Sequence, residues 1–201
     1  MRRCNIDVEQ VPSWLPFRKM PPTFQCGNTR APQCFAQIRS WIDRCDNHHP
    51  QCRGTPGPLP KRLLRLPNGG ERVSLVESKD EPDSSKYTTL SHCWGRAEDS
   101  PFFKTTAENL KKHKEEGIIV SELPLNFQHA IEITKNIDCQ YVWIDSLCIV
   151  QHNKDEWDLA CDTMRYIYGN AYVVIAATFA PKWRWWLLYE QATENYVFRR
   201  S

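Results

Sequence analysis

Apolar and polar positions follow two different rhythms along this chain, and the change falls near residue 86. From Tyr87 onward, short apolar blocks alternate with longer stretches whose apolar positions recur every three or four residues. Gln140–Asp145 carries a run apolar on both faces, the pattern of a strand buried between helices; Tyr87–His92 is built the same way, and Tyr172–Ala177 is a third strand. Between the first two, Ala107–Glu116 predicts a helix that Thr105 and Glu108 open as a capping box and Gly117 closes. Phe127, Ala130, Ile131, Thr134 and Ile137 mark a second helix, with Pro124 in its first turn. A third carries Trp157, Ala160, Cys161, Met164, Ile167 and Tyr168 on one face, with Asn153 and Glu156 at its N-terminal cap. That stripe makes Trp157 a core residue. The succession predicts an α/β fold: a doubly wound, mainly parallel sheet with flanking helices and right-handed crossovers.

The chain before residue 87 reads differently. Met1–Lys86 holds eleven of the 14 prolines, so it has room only for short elements between turns. Phe35, Ile38, Trp41, Ile42 and Cys45 predict one helix, stopped by Pro50. Arg62–Leu66 and Val73–Val76 flank Pro67-Asn68-Gly69-Gly70 and predict a small β-hairpin. Lys79–Lys86 is a polar linker. The expected organisation is a Pro/Cys-rich extension over 1–86, a domain over 87–180, and a divergent tail over 181–201. In that tail Trp183, Trp185 and Trp186 sit among Lys182 and Arg184.

Charge and composition narrow the partners. A formal net charge of +2 and a pI near 8.1, with Lys and Arg spread along the chain, point to neither nucleic acid nor a membrane surface. Met1-Arg2-Arg3-Cys4 is a basic start with no apolar stretch behind it. The longest apolar run, Ala171–Ala180, is half of the roughly 20 residues a spanning helix needs. The expectation is a soluble cytoplasmic protein without a membrane span. Nine cysteines without a secretory signal read mostly as reduced thiols, several of them filling the core.

Candidate chemistry gathers at the strand ends. Tyr141–Gln151 runs from four large apolar residues straight into Asp145. If its strand lies parallel beside Tyr87–His92, then Asp145, His92, Cys93 and Trp94 share the edge where ligands of α/β sheets bind. His92 and Cys93 point to opposite faces of a strand, which is poor geometry for a thiol–imidazole pair. Asp145 is placed to orient His92 and leaves a cysteine hydrolase open, against the plainer reading that Cys93 and Trp94 pack a strand end. A carboxylate after a buried strand must be hydrogen-bonded or solvated, so Asp145 either caps a turn or serves a ligand. Gln151 and His152 extend the same cleft. Asp155, Glu156, Asp158 and Asp162 suit the N-terminal half of a helix on electrostatic grounds alone. Cys45, His48 and Cys52, with Cys26 and Cys34 upstream, offer N/S ligands for zinc. No C-x2-C pair accompanies them, and Cys45 also fits the helix stripe, so core thiols compete with a metal site.

Tyr87-Thr-Thr-Leu-Ser-His-Cys-Trp-Gly95, Leu123–Thr134 and Tyr141–Ala177 resemble the three blocks of the fungal heterokaryon incompatibility (HET) domain. The matching positions include Ser91, His92, Cys93, Trp94, Gly95, Pro124, Trp143, Asp145, Ser146, Cys148, Gln151, Trp157 and Met164. The resemblance implies a cytoplasmic fungal protein of non-self recognition and programmed cell death, with protein partners and self-association through the domain. It also implies a TIR-like fold. TIR-like domains signal by self-association or cleave NAD at the nicotinamide–ribose bond, through an oxocarbenium-like state that a carboxylate stabilises. On that reading NAD is the candidate substrate, and Asp145 and Glu156 are the candidate catalytic residues. Family members commonly carry Glu where this chain has Ala160. Glu156 lies one turn earlier, about 5 Å along the axis, a large displacement for catalysis. The chain leaves the family pattern after Ala180, which reads as truncation or a misread exon. A signalling module is the leading expectation, with an NAD glycohydrolase and a zinc-binding module as alternatives.

Overall fold

The computed structural model describes residues 28–49, 57–94, 103–177 and 188. It contains helices α1 (Pro32–His48), α2 (Leu110–Glu115), α3 (Leu125–Asn136), α4 (Asp145–Cys148) and α5 (Lys154–Gly169). Its strands are β1 (Arg62–Arg65), β2 (Arg72–Glu77), β3 (Tyr87–Ser91), β4 (Ile118–Ile119), β5 (Tyr141–Trp143) and β6 (Val173–Ala176). They form one six-stranded sheet in the order β4-β2-β1-β5-β3-β6.

The sheet is mixed rather than mainly parallel. β3 pairs in parallel with β5 and β6, as the apolar blocks predict. The β1–β2 hairpin then pairs antiparallel onto β5, and β4 pairs antiparallel onto β2. The reason is burial. Leu63, Leu64, Val73 and Leu75 are all at most 1 % exposed, and full burial of such a side chain stabilises by about 2 kcal/mol. A hairpin left beside the domain would forgo most of that; adding it to the sheet recovers it.

Alternation along β3 shows which helix covers which face. Tyr87 donates its hydroxyl to the carbonyl of Ile167 on α5 (2.7 Å), whereas Thr88 meets Thr134 of α3 through their hydroxyls (2.6 Å). Neighbouring strand residues point to opposite faces, so α3 and α5 lie on opposite sides of the parallel half. Trp143, in register with Thr89, follows Tyr87 to the α5 side and meets Tyr168 edge-on, 5.7 Å between centroids.

Local chemistry explains the helix boundaries, with two departures from expectation. Asn153 caps α5 by accepting from the Glu156 N–H (3.2 Å). Gly117 closes α2 at φ +74°, and a Cβ there would stand 2.8 Å from the carbonyl of Val73. Thr105, however, does not open α2. It is fully buried, bridges in parallel to Val150, and donates its hydroxyl to the carbonyl of Leu147 (2.6 Å). α2 starts later, at Leu110. The third-helix stripe is also narrower than predicted. Ala160 and Ile167 are buried and Met164 and Tyr168 pack on the core, but Trp157 is 42 % exposed and Cys161 is exposed.

Candidate functional site

The parallel pairing of β3 with β5 places the residues that follow each strand at one edge. β5 gives way at Ile144 to the short helix α4, so Asp145 begins a turn at the sheet rim. Its Oδ1 accepts from the Ser146 N–H and its Oδ2 from the Trp94 indole N–H, each at 2.7 Å. Asp145 thus takes one of the two roles left open by its sequence, anchoring a turn, and in addition receives the indole N–H of the residue beyond the neighbouring strand.

His92 stands on the other side of the carboxylate. Its Nδ1 is 4.0 Å from Asp145 Oδ1, and its side chain is 3 % exposed against the edge of the Phe127 ring on α3. His92 Nδ1 has no hydrogen-bond partner among the described residues, and neither has the buried Ser146 hydroxyl. Desolvation holds the His92 imidazole below its ordinary pKa, with the Asp145 charge pulling the other way. Gln151 closes the corner from below, donating its amide to the carbonyls of Asp145 (3.3 Å) and Ile149 (3.1 Å).

Trp94 leads outward from this corner. Its ring meets Trp157 of α5 edge-to-face at 6.3 Å, a contact worth about 1 kcal/mol beyond burial. The exposure of Trp157 is explained by this pairing: it covers the strand-end indole instead of filling the core.

The other sequence-predicted residues take structural places. Pro124 caps α3, Trp143 is 1 % exposed, and Met164 packs on the core. Burial pushes the Cys148 thiol up to about 12, which makes it inert. Ser91 accepts from the Ala177 N–H (2.8 Å) and Cys93 is exposed and free. His152 is exposed, in a left-handed conformation (φ 62°), with Nε2 2.9 Å from Lys104 Nζ. Gly95, Cys26 and Cys52 lie outside the described residues. Cys34 is disulfide-bonded, Cys45 is half-buried and His48 is exposed. Among the described residues no group of three or more His, Cys, Asp or Glu is placed to hold a metal ion. No described helix is long and apolar enough to cross a membrane.

Glu156 is not at the corner. Its carboxylate receives Arg62 Nη2 and Lys61 Nζ, each at 2.5 Å, and Arg62 Nη1 at 3.4 Å. Those charged donors, the Arg62 hydrogen bonds foremost, hold its pKa below the usual carboxylate value against the effect of burial. Arg62 is itself 3 % exposed and also donates Nε to the carbonyl of Cys148 (2.8 Å). Sequence reasoning missed this arginine. The one available signal was a cation opening the hairpin strand Arg62-Leu63-Leu64-Arg65, whose partner lies 94 residues away.

The family model for heterokaryon incompatibility proteins matches residues 87–196, more than half of the chain. The chain belongs to the HET family. The HET match therefore begins at β3 and continues past Ala180. Within it, Leu188 is buried and its N–H approaches Nδ1 of His129 on α3 (3.3 Å). No curated protein and no solved structure matches the chain. The HET blocks that contain His92–Trp94 and Tyr141–Gln151 are thus the segments whose ends converge on Asp145.

Proposed function

We propose that this HET protein is a signalling and interaction module of fungal non-self recognition and regulated cell death, acting through its surface rather than through turnover. The observation that carries this reading is the Trp94–Asp145 hydrogen bond, which joins two HET blocks and seats Trp94 against the exposed Trp157. Such a paired aromatic surface suits contact with a protein partner or a second copy of the domain. Expression in a compatible fungal host is expected to lower viability, and Trp94→Ala, Asp145→Asn or Trp157→Ala to relieve that effect. Toxicity unchanged in variants that remain folded would remove the corner from the mechanism.

The enzymatic alternative, NAD glycohydrolysis, has less support. Stabilising an oxocarbenium-like centre calls for a carboxylate facing a cleft. Glu156 is committed to two cations, and Asp145 to two N–H donors. Nicotinamide release by purified protein, abolished by Asp145→Asn or by Glu156→Gln, would revive it.

A further inference from the structure

A cavity of about 210 Å³ lies between α5 and the segment that leads into β1. His92, Trp94 and Asp145 do not line it, so it is separate from the strand-end corner. Its buried walls are Trp143, Cys148, Ile149, Ala160 and Ile167. Ala160 is decisive among them, because a larger side chain there would project into the space from the helix. An apolar cavity of about 150 Å³ is enough to take up benzene, so this one holds a single ring with a substituent.

Polar groups gather at one side, around Glu156. Its carboxylate accepts three hydrogen bonds from Arg62 and Lys61, whereas an ionised carboxylate offers about four acceptor positions. By that count one acceptor position is left, on a residue that lines the cavity. The charges at this side already pair with one another, Arg62 and Lys61 with Glu156. An ionic ligand would lose its own hydration without gaining an unpaired counter-charge. Apolar walls with one well-placed polar group are the usual character of a small-molecule site.

We propose that this cavity is a binding site for a small neutral aromatic molecule carrying one hydrogen-bond donor, with its ring against Ala160 and its donor on Glu156. The ligand bridges α5 and the β1 segment and stabilises their packing by mass action. Phenol is the probe, and toluene, a ring of similar size without the donor, is its control. At ten times its dissociation constant, phenol raises the Tm of the full chain by about 3 °C, and toluene by less than half as much. In the wild-type protein, cross-relaxation connects phenol protons to the Ile149 methyl groups. Ala160→Leu fills the space from α5 and Ile149→Phe from the opposite wall; each weakens phenol binding at least tenfold in a folded protein. Absence of cross-relaxation in the wild type overturns the proposal without any variant. So does phenol binding of wild-type strength in either folded, filled variant, and so does a toluene effect equal to that of phenol.

Discussion

Two polar clusters hold this molecule together, and they were made in different ways. At the strand-end corner, Trp94, Asp145, His92 and Gln151 come from segments adjacent to neighbouring parallel strands, and the bonds come from neutral N–H donors, Trp94 to the Asp145 carboxylate and Gln151 to the Asp145 backbone carbonyl. At the other cluster, Arg62 and Lys61 of the N-terminal hairpin reach across to Glu156 of α5, with charges on both sides. The two carboxylates are about equally exposed, Asp145 at 18 % and Glu156 at 16 %; the difference lies in their partners, which are neutral at the corner and include the buried Arg62 guanidinium in the charge cluster. The corner presents a surface, whereas the charge cluster fastens residues before the family match to a helix within it. A partly open hydrogen bond can be exchanged with a partner at little cost. A buried ion pair cannot lose one member without stranding the other.

The largest effect is expected from separating the two regions altogether. Deleting residues 1–86 removes β1 and β2, strips the partner from the outer edge of β5, and leaves Glu156 without its cations. The deleted chain should show no cooperative urea transition; a normal transition would mean that the hairpin is dispensable and the comparison empty. Next, Arg62→Ala is expected to cost about 3 kcal/mol in urea unfolding, because it leaves Glu156 partly buried with Lys61 alone. An apolar double replacement, Arg62→Met with Glu156→Leu, should recover most of that loss. If it does not, the pair contributes more than mutual neutralisation.

Acid should act on the corner and on α3 through their buried imidazoles. Desolvation, aided by the Arg30 charge, holds His129 down at about 4, and burial lowers His92 as well. Unfolded histidines take up protons near pH 6.5 while these stay neutral, so the unfolded state binds more protons. The stability is therefore complete above pH about 6.5 and is lost as pH falls toward about 4, by about 3 kcal/mol for His129. Urea midpoints measured from pH 7.5 to 4.5 should fall accordingly, and His129→Gln should flatten the slope. At the corner itself, Trp94→Phe keeps a ring and removes only the indole N–H. About 1 kcal/mol is expected to be lost, with no further loss when Asp145→Asn is added; full additivity would show that the two groups are not coupled. Lys154→Ala, which removes an exposed pair with Asp158, should change stability by less than about 0.5 kcal/mol.

The corner was legible before the fold because its cause is local. Apolar blocks ending in His92-Cys93-Trp94 and in Asp145 predict strands, and parallel strands put such ends together. What lay beyond local reading is equally specific. Trp157 keeps helical spacing with the core stripe yet turns outward, because Trp94 offers it an edge-on contact that sequence periodicity cannot register. Thr105 has the composition of a helix cap, but a buried bridge to Val150 satisfies its backbone better. α4 and β4 are too short, at four and two residues, to show any periodicity.

Residue order alone thus established the alternation of elements and the place of Asp145 at a strand end, since each follows from periods of two or 3.6 within a short window; the parallel pairing of β3 with β5 came from the structure. Tertiary structure decided that the hairpin joins the same sheet and turns it mixed, that Arg62 and Lys61 claim Glu156, and that Ala160 leaves a hollow beside them. Those outcomes depend on burying surface and pairing charge between segments far apart along the chain. Such free energies exist only once the segments meet.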